Sequence, residues 1–210
     1  RRIALKVWQL VKKLNNTELG KGGTHDTYVL IPNNLDISDL IGTINEQCDF
    51  VDKITGQHVK IRKTVGRETR IVGLGQYYRD KDLCAGDEIL FERIETNGEN
   101  KFFVSVQKYT DNLVIQKSKF GFEILVPERS KDFQDKCTEN GADIEIKYLC
   151  SEKKRGDSPE PTKFYDVIID GISILDTCGG KDIRELKLEE NKIGISSFYG
   201  WKKYTFEVED

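Results

Sequence analysis

Turn-forming residues divide the apolar side chains of this sequence into short runs. The spacing of these turns constrains the fold more than any other feature. Thr55-Gly56, Asn97-Gly98 and Asp170-Gly171 each lie between two runs of β-like composition. Such dipeptides connect the strands of hairpins, because they accept the positive φ angles of tight turns. Pro32 ends a further apolar run at Ile31. The pattern predicts a mainly β (α+β) protein.

The first half is predicted to consist of many short strands and two short helices. Residues 3–14 are compatible with a helix or a strand, and we favour a strand that leads into a polar loop at 15–26. Caps of Asn, Asp and Ser before apolar positions predict a short helix at 33–41, and a second is expected at 76–83. The other strands are expected at 27–32, 49–62 (two runs), 70–72, 87–95 and 101–106.

A polar segment at 108–116 predicts a boundary between a domain at 1–109 and a β-rich accessory domain at 110–210. In the second region, a helix is expected at 130–140 and a charged loop with two prolines at 151–162. Strands are expected at 119–126, at 143–150, on both sides of Asp170-Gly171 and as a pair within 194–209.

The five cysteines form no CxxC pair and the chain has two histidines, so no zinc site is expected and a reducing cytoplasm is predicted. The N-terminus lacks the features of a secretory signal, and no apolar run approaches the ~20 residues of a membrane span, so a membrane partner is not expected. The sequence begins at Arg1 and contains no Met, which predicts a fragment of a longer protein.

Positive charge is concentrated in one segment although the net charge is −3. Residues 53–79 hold seven Lys and Arg side chains and a single acid, Glu68. Because the electrostatic part of DNA binding depends on local charge that faces the phosphates, a mildly acidic protein can bind DNA through such a patch. A solvated basic loop is the alternative interpretation.

Two polar segments carry side chains suited to a DNA duplex. Arg pairs with guanine, Asn or Gln with adenine and Glu with cytosine, whereas Lys, Thr and Tyr hold phosphates. In an extended segment, Glu68 and Arg70 lie on one side and Arg67 on the other. Each residue alone also fits a polar loop or a surface ion pair. The first arm, 14–32, offers Asn16, Lys21, His25 and Tyr28, and the second, 60–70, offers Arg62, Lys63, Arg67, Glu68, Thr69 and Arg70.

Three ordered segments resemble the B3-like DNA-binding domain of plant B3 transcription factors, and more closely the effector domain of bacterial type IIE restriction endonucleases. They are the first arm with its glycine pair before His25, the second arm RKTVGRETRI, and the segment that runs from 73 to 94 through Leu83-Cys84-Ala85-Gly86-Asp87. The resemblance covers about half of the chain. Thr24 is inserted before His25, and Gly66 stands where the restriction-enzyme relatives carry a basic residue.

The resemblance implies a seven-stranded open pseudobarrel with two short helices, whose two arms grip the major groove of double-stranded DNA. The ten arm residues named above are then the DNA-binding residues, and binding needs no cofactor. It further implies that the chain is the target-recognition part of a restriction endonuclease, with a nuclease domain elsewhere in the full-length protein. A plant-type transcription factor domain and a protein-interaction module that shares only the barrel are alternatives.

A complete nuclease is the enzymatic alternative. Asp170 is followed fifteen residues later by Glu185-Leu186-Lys187, which resembles the PD-(D/E)xK core. In that core, two carboxylates hold Mg²⁺ and a lysine assists the attacking water. This hypothesis predicts Asp170, Glu185 and Lys187 as catalytic residues around Mg²⁺. In a chain with 33% charged residues, the short Glu-x-Lys pattern also arises by chance.

Overall fold

A computed structural model describes residues 3–22, 24–153, 160–198 and 200–209. The protein is mainly β, with a curled mixed sheet and two short helices. In the described part of the chain, neither helix has the length and apolar character needed to cross a membrane.

The chain forms two compact units, and the first one takes in both ends of the sequence. Unit 1 comprises Arg1–Lys108 and Gly200–Asp210, and unit 2 comprises Tyr109–Tyr199. The division predicted between 109 and 110 therefore needs a correction for the C-terminal strand. That strand joins unit 1 because it pairs along most of the length of the N-terminal strand, from Ile3↔Glu209 to Lys12↔Trp201.

Unit 1 is built on one eight-stranded sheet. Its strands are β1 (Ile3–Lys13), β2 (Val29–Ile31), β3 (Cys48–Asp52), β4 (His58–Val65), β5 (Thr69–Val72), β6 (Glu88–Thr96), β7 (Glu99–Gln107) and β15 (Trp201–Glu209). The order is β15-β1-β6-β7-β3-β4-β5-β2, and every pair is antiparallel except β3 with β7. Buried apolar residues of β1 to β7 and of the segments between them form one core, and Trp201 of β15 packs against it. Within this core, Phe50 packs edge-on against Phe91.

The predicted hairpins of unit 1 are confirmed. Asn97 and Gly98 have φ angles of 52° and 79° and connect β6 to β7. Between β3 and β4, the Asp52 carboxylate accepts hydrogen bonds from the backbone N–H groups of Ile54 and Thr55, and Gly56 takes a φ of 75°. These turns form because Asn and Gly tolerate positive φ and because an Asp side chain can close a turn by itself.

One of the two helices predicted in the first half is absent. Helix α1 (Gly75–Asp80) matches the prediction at 76–83, but residues 33–41 form successive turns. The Asp36 side chain accepts a hydrogen bond from the Ser38 N–H, and Ile37, Leu40 and Ile41 are buried. A short segment whose polar side chains bond the backbone locally gains more from turns than from a helix. The second short helix lies in unit 2.

The Gly-Asp turn adopts the predicted structural role. The Asp87 carboxylate is fully buried and accepts a hydrogen bond from the Cys84 N–H at 2.9 Å, while Gly86 has a φ of 97°. Two backbone hydrogen bonds with Leu14, from Gly86 N–H and to Asp87 C=O, join this turn to the start of the first arm. The turn therefore anchors the first arm.

Unit 2 has its own sheet and core. Its strands are β8 (Leu113–Ser118), β9 (Gly121–Ile124), β10 (Ile144–Glu152), β11 (Thr162–Ile169), β12 (Ile172–Ser173), β13 (Ile183–Glu189) and β14 (Lys192–Ser197). The order is β10-β11-β9-β8-β13-β14, and β12 pairs with β11. Helix α2 (Ser130–Glu139) buries Phe133 and Cys137. Sequence reasoning missed β8 and β13, and residues 154–159 of the predicted loop at 151–162 lie outside the described residues.

Candidate nucleic-acid interface

The two predicted arms lie side by side in unit 1. Strand β2 ends the first arm, and it pairs with β5 of the second arm through Leu30↔Arg70 and its two neighbouring positions. Strand β5 in turn pairs with β4, where Thr64 stands opposite Arg70. The side chains of both arms therefore meet on one three-stranded edge of the sheet, although about forty residues separate them in the chain.

Strand β4 separates its side chains between two faces. Val59, Ile61 and Lys63 are buried, whereas His58, Lys60 and Arg62 are exposed. Since side chains on one face recur every second residue, Arg62 and Thr64 share the outer face with Arg70 of β5 and Leu30 of β2. This outer face of β4, β5 and β2 is the candidate interface.

Arg70 is held between residues of both arms. Its Nε donates to Glu68 Oε2 at 2.9 Å, and its Nη2 lies 2.9 Å from the same oxygen. Its guanidinium carbon lies 4.0 Å from the centroid of the Tyr28 ring. A planar guanidinium stacked on an aromatic ring and bonded along one edge has few rotamers available, so the group is oriented in advance of binding.

Tyr28 forms the base of this stack. It is buried, and its backbone C=O accepts a hydrogen bond from the Tyr78 hydroxyl at 2.8 Å. Burial raises the pKa of the Tyr28 phenol, whereas the nearby Arg70 charge acts to lower it. The phenol therefore stays neutral around pH 7, and its ring supports Arg70.

The tip of the second arm is a three-residue connection between β4 and β5. The Gly66 N–H donates to the Glu68 C=O at 3.1 Å, and Arg67 and Glu68 are exposed there. The side chains of Glu68 and Arg70 are bonded to each other. They therefore lie on the same side, as predicted from an extended backbone. Thr69 is half-buried at the end of the connection.

A buried ion pair supports the first arm. Glu18 and Lys12 are almost fully buried, and Glu18 Oε1 lies 3.2 Å from Lys12 Nζ. The other carboxylate oxygen accepts a hydrogen bond from Leu30 N–H of β2 at 2.8 Å. Burial raises the pKa of Glu18, and the Lys12 charge opposes this. Glu18 is a residue that sequence reasoning missed, since nothing local marks a loop acid as buried.

The predicted contact residues of the first arm surround its turns. Asn16 is half-buried and its C=O accepts a hydrogen bond from Lys21 N–H, while Lys21 and His25 are exposed. The Lys21 ammonium donates to Leu83 C=O at 3.1 Å. Gly22 packs closely on Thr17, because a Cβ at position 22 would lie 2.8 Å from Thr17 Oγ1. The arm is thus a folded loop, which the bridge between Leu19 and Thr27 closes.

Lys63 does not belong to the interface that the sequence predicted. Its side chain lies on the inner face of β4 with 8% exposure, and its ammonium donates to the Gly42 C=O at 3.4 Å. The same alternation that buries Lys63 places Lys60 and Thr64 outward with Arg62. The signal was present in the sequence, because Lys63 is in phase with the apolar residues Val59 and Ile61.

No protein-family model matches the chain, and no curated protein sequence matches it either. The candidate interface combines an exposed basic strand face, a pre-oriented arginine beside a carboxylate, and two arms that meet along paired strands. This arrangement can donate to and accept from base edges and can also neutralise phosphates.

The structure does not bring the predicted nuclease residues together. Asp170 is an exposed turn residue after β11, with a φ of 52°, whereas Glu185 and Lys187 lie on β13. In the sheet order, β9 and β8 stand between these two strands. Glu185 is fully buried and pairs with Lys187 at 3.2 Å. A Mg²⁺ site needs carboxylates that converge on one ion, and these residues do not fit one.

Among the residues that the structure describes, no three His, Cys, Asp or Glu side chains are grouped so as to hold a metal ion. The five cysteines are free thiols, of which Cys84, Cys137 and Cys178 are buried.

Proposed function

We propose that unit 1 is a B3-like DNA-binding pseudobarrel that recognises a specific double-stranded sequence through its two arms. The observation that carries the proposal is the pairing of β2 with β5, together with the stacking of Arg70 of one arm on Tyr28 of the other. A recognition clamp requires such adjacency, because both arms must enter one major groove.

Further support comes from the strand count and the charge of the outer face. Seven of the eight strands in the sheet come from residues 3–107, which is the number proposed for the pseudobarrel, and β15 is an addition. Lys60, Arg62 and Arg67 are exposed around the second arm. These cations supply affinity for phosphates, whereas Arg70 and Glu68 read base edges.

By its resemblance, we propose that the chain serves as the target-recognition part of a restriction endonuclease, with DNA cleavage supplied by another domain. Unit 2 is then an accessory unit. Arg70 is the residue assigned to guanine, because Arg can bond the O6 and N7 atoms of that base together, and Glu68 is assigned to a neighbouring cytosine amino group.

Selection of bound duplexes from a random pool, followed by gel shifts at two salt concentrations, tests the proposal. We expect a defined sequence to be enriched, and Arg70→Ala to cost about 1–3 kcal/mol on that sequence while binding to unrelated duplexes changes little. Lys60→Ala is the matched control and should weaken binding to all duplexes alike. Equal binding of every sequence by the wild-type chain would rule out sequence recognition.

A further inference from the structure

Strand β15 leaves one edge of the unit 1 sheet open. It is the last strand in the sheet order and pairs with β1 on one side, and no other strand in the described part of the chain pairs with its second side. The strand has nine residues and contains no proline. A long edge of this kind presents a row of backbone N–H and C=O groups that can bind another strand.

One face of β15 is apolar and exposed to solvent. Tyr204, Phe206 and Val208 are 47%, 44% and 48% exposed, and they share a face because they are two residues apart. Their cross-strand neighbours on β1 include Val7, opposite Phe206, and Leu5, opposite Val208. A continuous apolar strip at a sheet edge is typical of a surface that is covered by a partner.

The charges of β15 identify a second copy of the same strand as that partner. Lys202 and Lys203 stand near its start, and Glu207 and Glu209 stand at its end. Antiparallel alignment of two copies brings the basic start of one against the acidic end of the other, whereas parallel alignment sets like charges together. The sequence of the strand is therefore electrostatically self-complementary in one direction only.

We propose that β15 pairs antiparallel with β15 of a second copy of the chain, centred on Thr205, and joins two sheets into one in a symmetric homodimer. In this register Lys203 faces Glu207 and Tyr204 faces Phe206, and each pair occurs twice because the two-fold axis passes through Thr205. The new ion pairs extend existing ones, since Lys203 lies 2.7 Å from Asp39 and Glu207 lies 3.6 Å from Lys6.

Sedimentation equilibrium of the 210-residue chain without DNA tests this dimer independently of DNA recognition. The wild-type mass should rise with concentration from 24.1 kDa to twice that value. Tyr204→Glu and Phe206→Lys should each weaken association by about tenfold or more, because each replaces an aromatic ring of the interface with a charged group that must leave water at both symmetric positions. Ile54→Lys, at a position 85% exposed on a turn away from β15, is the matched control and should leave the dimer intact.

Mixing the two variants tests the register itself. In a mixed pair, the carboxylate introduced at position 204 of one chain faces the ammonium introduced at position 206 of the other, and the second aromatic pair is native. The mixture should therefore associate more tightly than either variant alone, with circular dichroism showing that all chains are folded. A wild-type chain that stays monomeric at its highest soluble concentration, a dimer that both substitutions leave unchanged, or a mixture without this gain would overturn the proposal.

Discussion

At the scale of the residue, strand parity decides what each basic side chain can do. Arg62 and Lys63 are neighbours in the chain and both are basic, yet Arg62 is exposed on the outer face of β4 and Lys63 is buried on the inner face. The buried ammonium bonds Gly42 C=O, so its charge is directed at the protein backbone. Only the outer side chain is placed to neutralise a phosphate.

Matched substitutions of these two neighbours test that difference. Arg62→Met should reduce the slope of log affinity against log salt by about 0.9, because one phosphate contact is lost. Lys63→Met should leave the slope unchanged, since methionine keeps the volume of the buried stem. Salt titrations of duplex binding by fluorescence anisotropy provide the measurement. A slope reduced equally by both substitutions would show that Lys63 reaches the DNA.

Arg70 shows how far sequence reasoning extends at this scale. An extended backbone was sufficient to predict that Glu68 and Arg70 share a side, and their ion pair confirms it. The stacking of Arg70 on Tyr28 was beyond that reasoning, because it depends on the pairing of two strands that are distant in the chain.

At the scale of the element, the hairpin of β4 and β5 can accept a side chain at Gly66, at its tip. A Cβ at Gly66 would meet nothing within 4 Å, and the residue does not adopt a positive φ. A side chain is therefore accommodated there without backbone strain. Gly66 is exposed beside the exposed Arg67, so a basic side chain at position 66 would add a cation to the tip of the second arm.

We expect Gly66→Lys to strengthen duplex binding and to steepen its salt dependence by about 0.9 in slope, through one additional phosphate contact. The melting temperature should change little, because the position is open. Ile54→Lys adds the same charge on the connection between β3 and β4 and serves as the control. Unchanged affinity for Gly66→Lys, measured by anisotropy at low salt, would place the hairpin tip away from the DNA.

At the scale of the whole molecule, the buried acid Asp52 joins helix α1 to the turn after β3 in unit 1. The Asp52 carboxylate accepts hydrogen bonds from the Tyr77 hydroxyl of α1 and from the turn after β3, and Lys81 Nζ lies 3.2 Å away. Burial acts to raise the pKa of Asp52, but the hydrogen bonds from Tyr77, the turn and Lys81 outweigh it. The pKa of Asp52 therefore lies well below its ordinary value of 3.8.

Acid should consequently destabilise unit 1. Because the pKa of Asp52 is lower in the folded protein than in the unfolded chain, its carboxylate stabilises the fold. This contribution is fully present above pH 3.8 and is lost as the pH falls toward the folded-state pKa. Glu18 has a raised pKa, so its contribution is constant below its ordinary value of 4.5 and does not mask this trend. Tyr77→Phe weakens the depression of the Asp52 pKa, so its loss of stability as the pH falls below 3.8 should be smaller than that of the wild type.

Urea unfolding followed by tryptophan fluorescence measures this effect in unit 1, because both tryptophans, Trp8 and Trp201, lie there. Tyr148→Phe in unit 2 is the matched control and should leave the pH dependence unchanged. An identical acid response in Tyr77→Phe and in the wild type would contradict the role given to Asp52.

The amino-acid sequence alone determined the features that depend on neighbouring residues. Hairpin turns, the Gly-Asp turn, helix α1 and most strands follow from φ preferences, side-chain closure of turns and two-residue alternation, which act over a few residues. The prediction of a helix at 33–41 was wrong, although it also rested on neighbouring residues. Side-chain hydrogen bonds to the local backbone favour turns there, and the apolar residues of the segment are buried in the core.

Only the tertiary structure decided the features that depend on which distant segments pair. It set β2 against β5 and so joined the arms, returned β15 to the first sheet, and separated Asp170 from Glu185 by two strands. It also buried Glu18 against Lys12. Long-range pairing is chosen by the burial and hydrogen bonding of the whole sheet, and such a sum cannot be obtained from any single stretch of sequence.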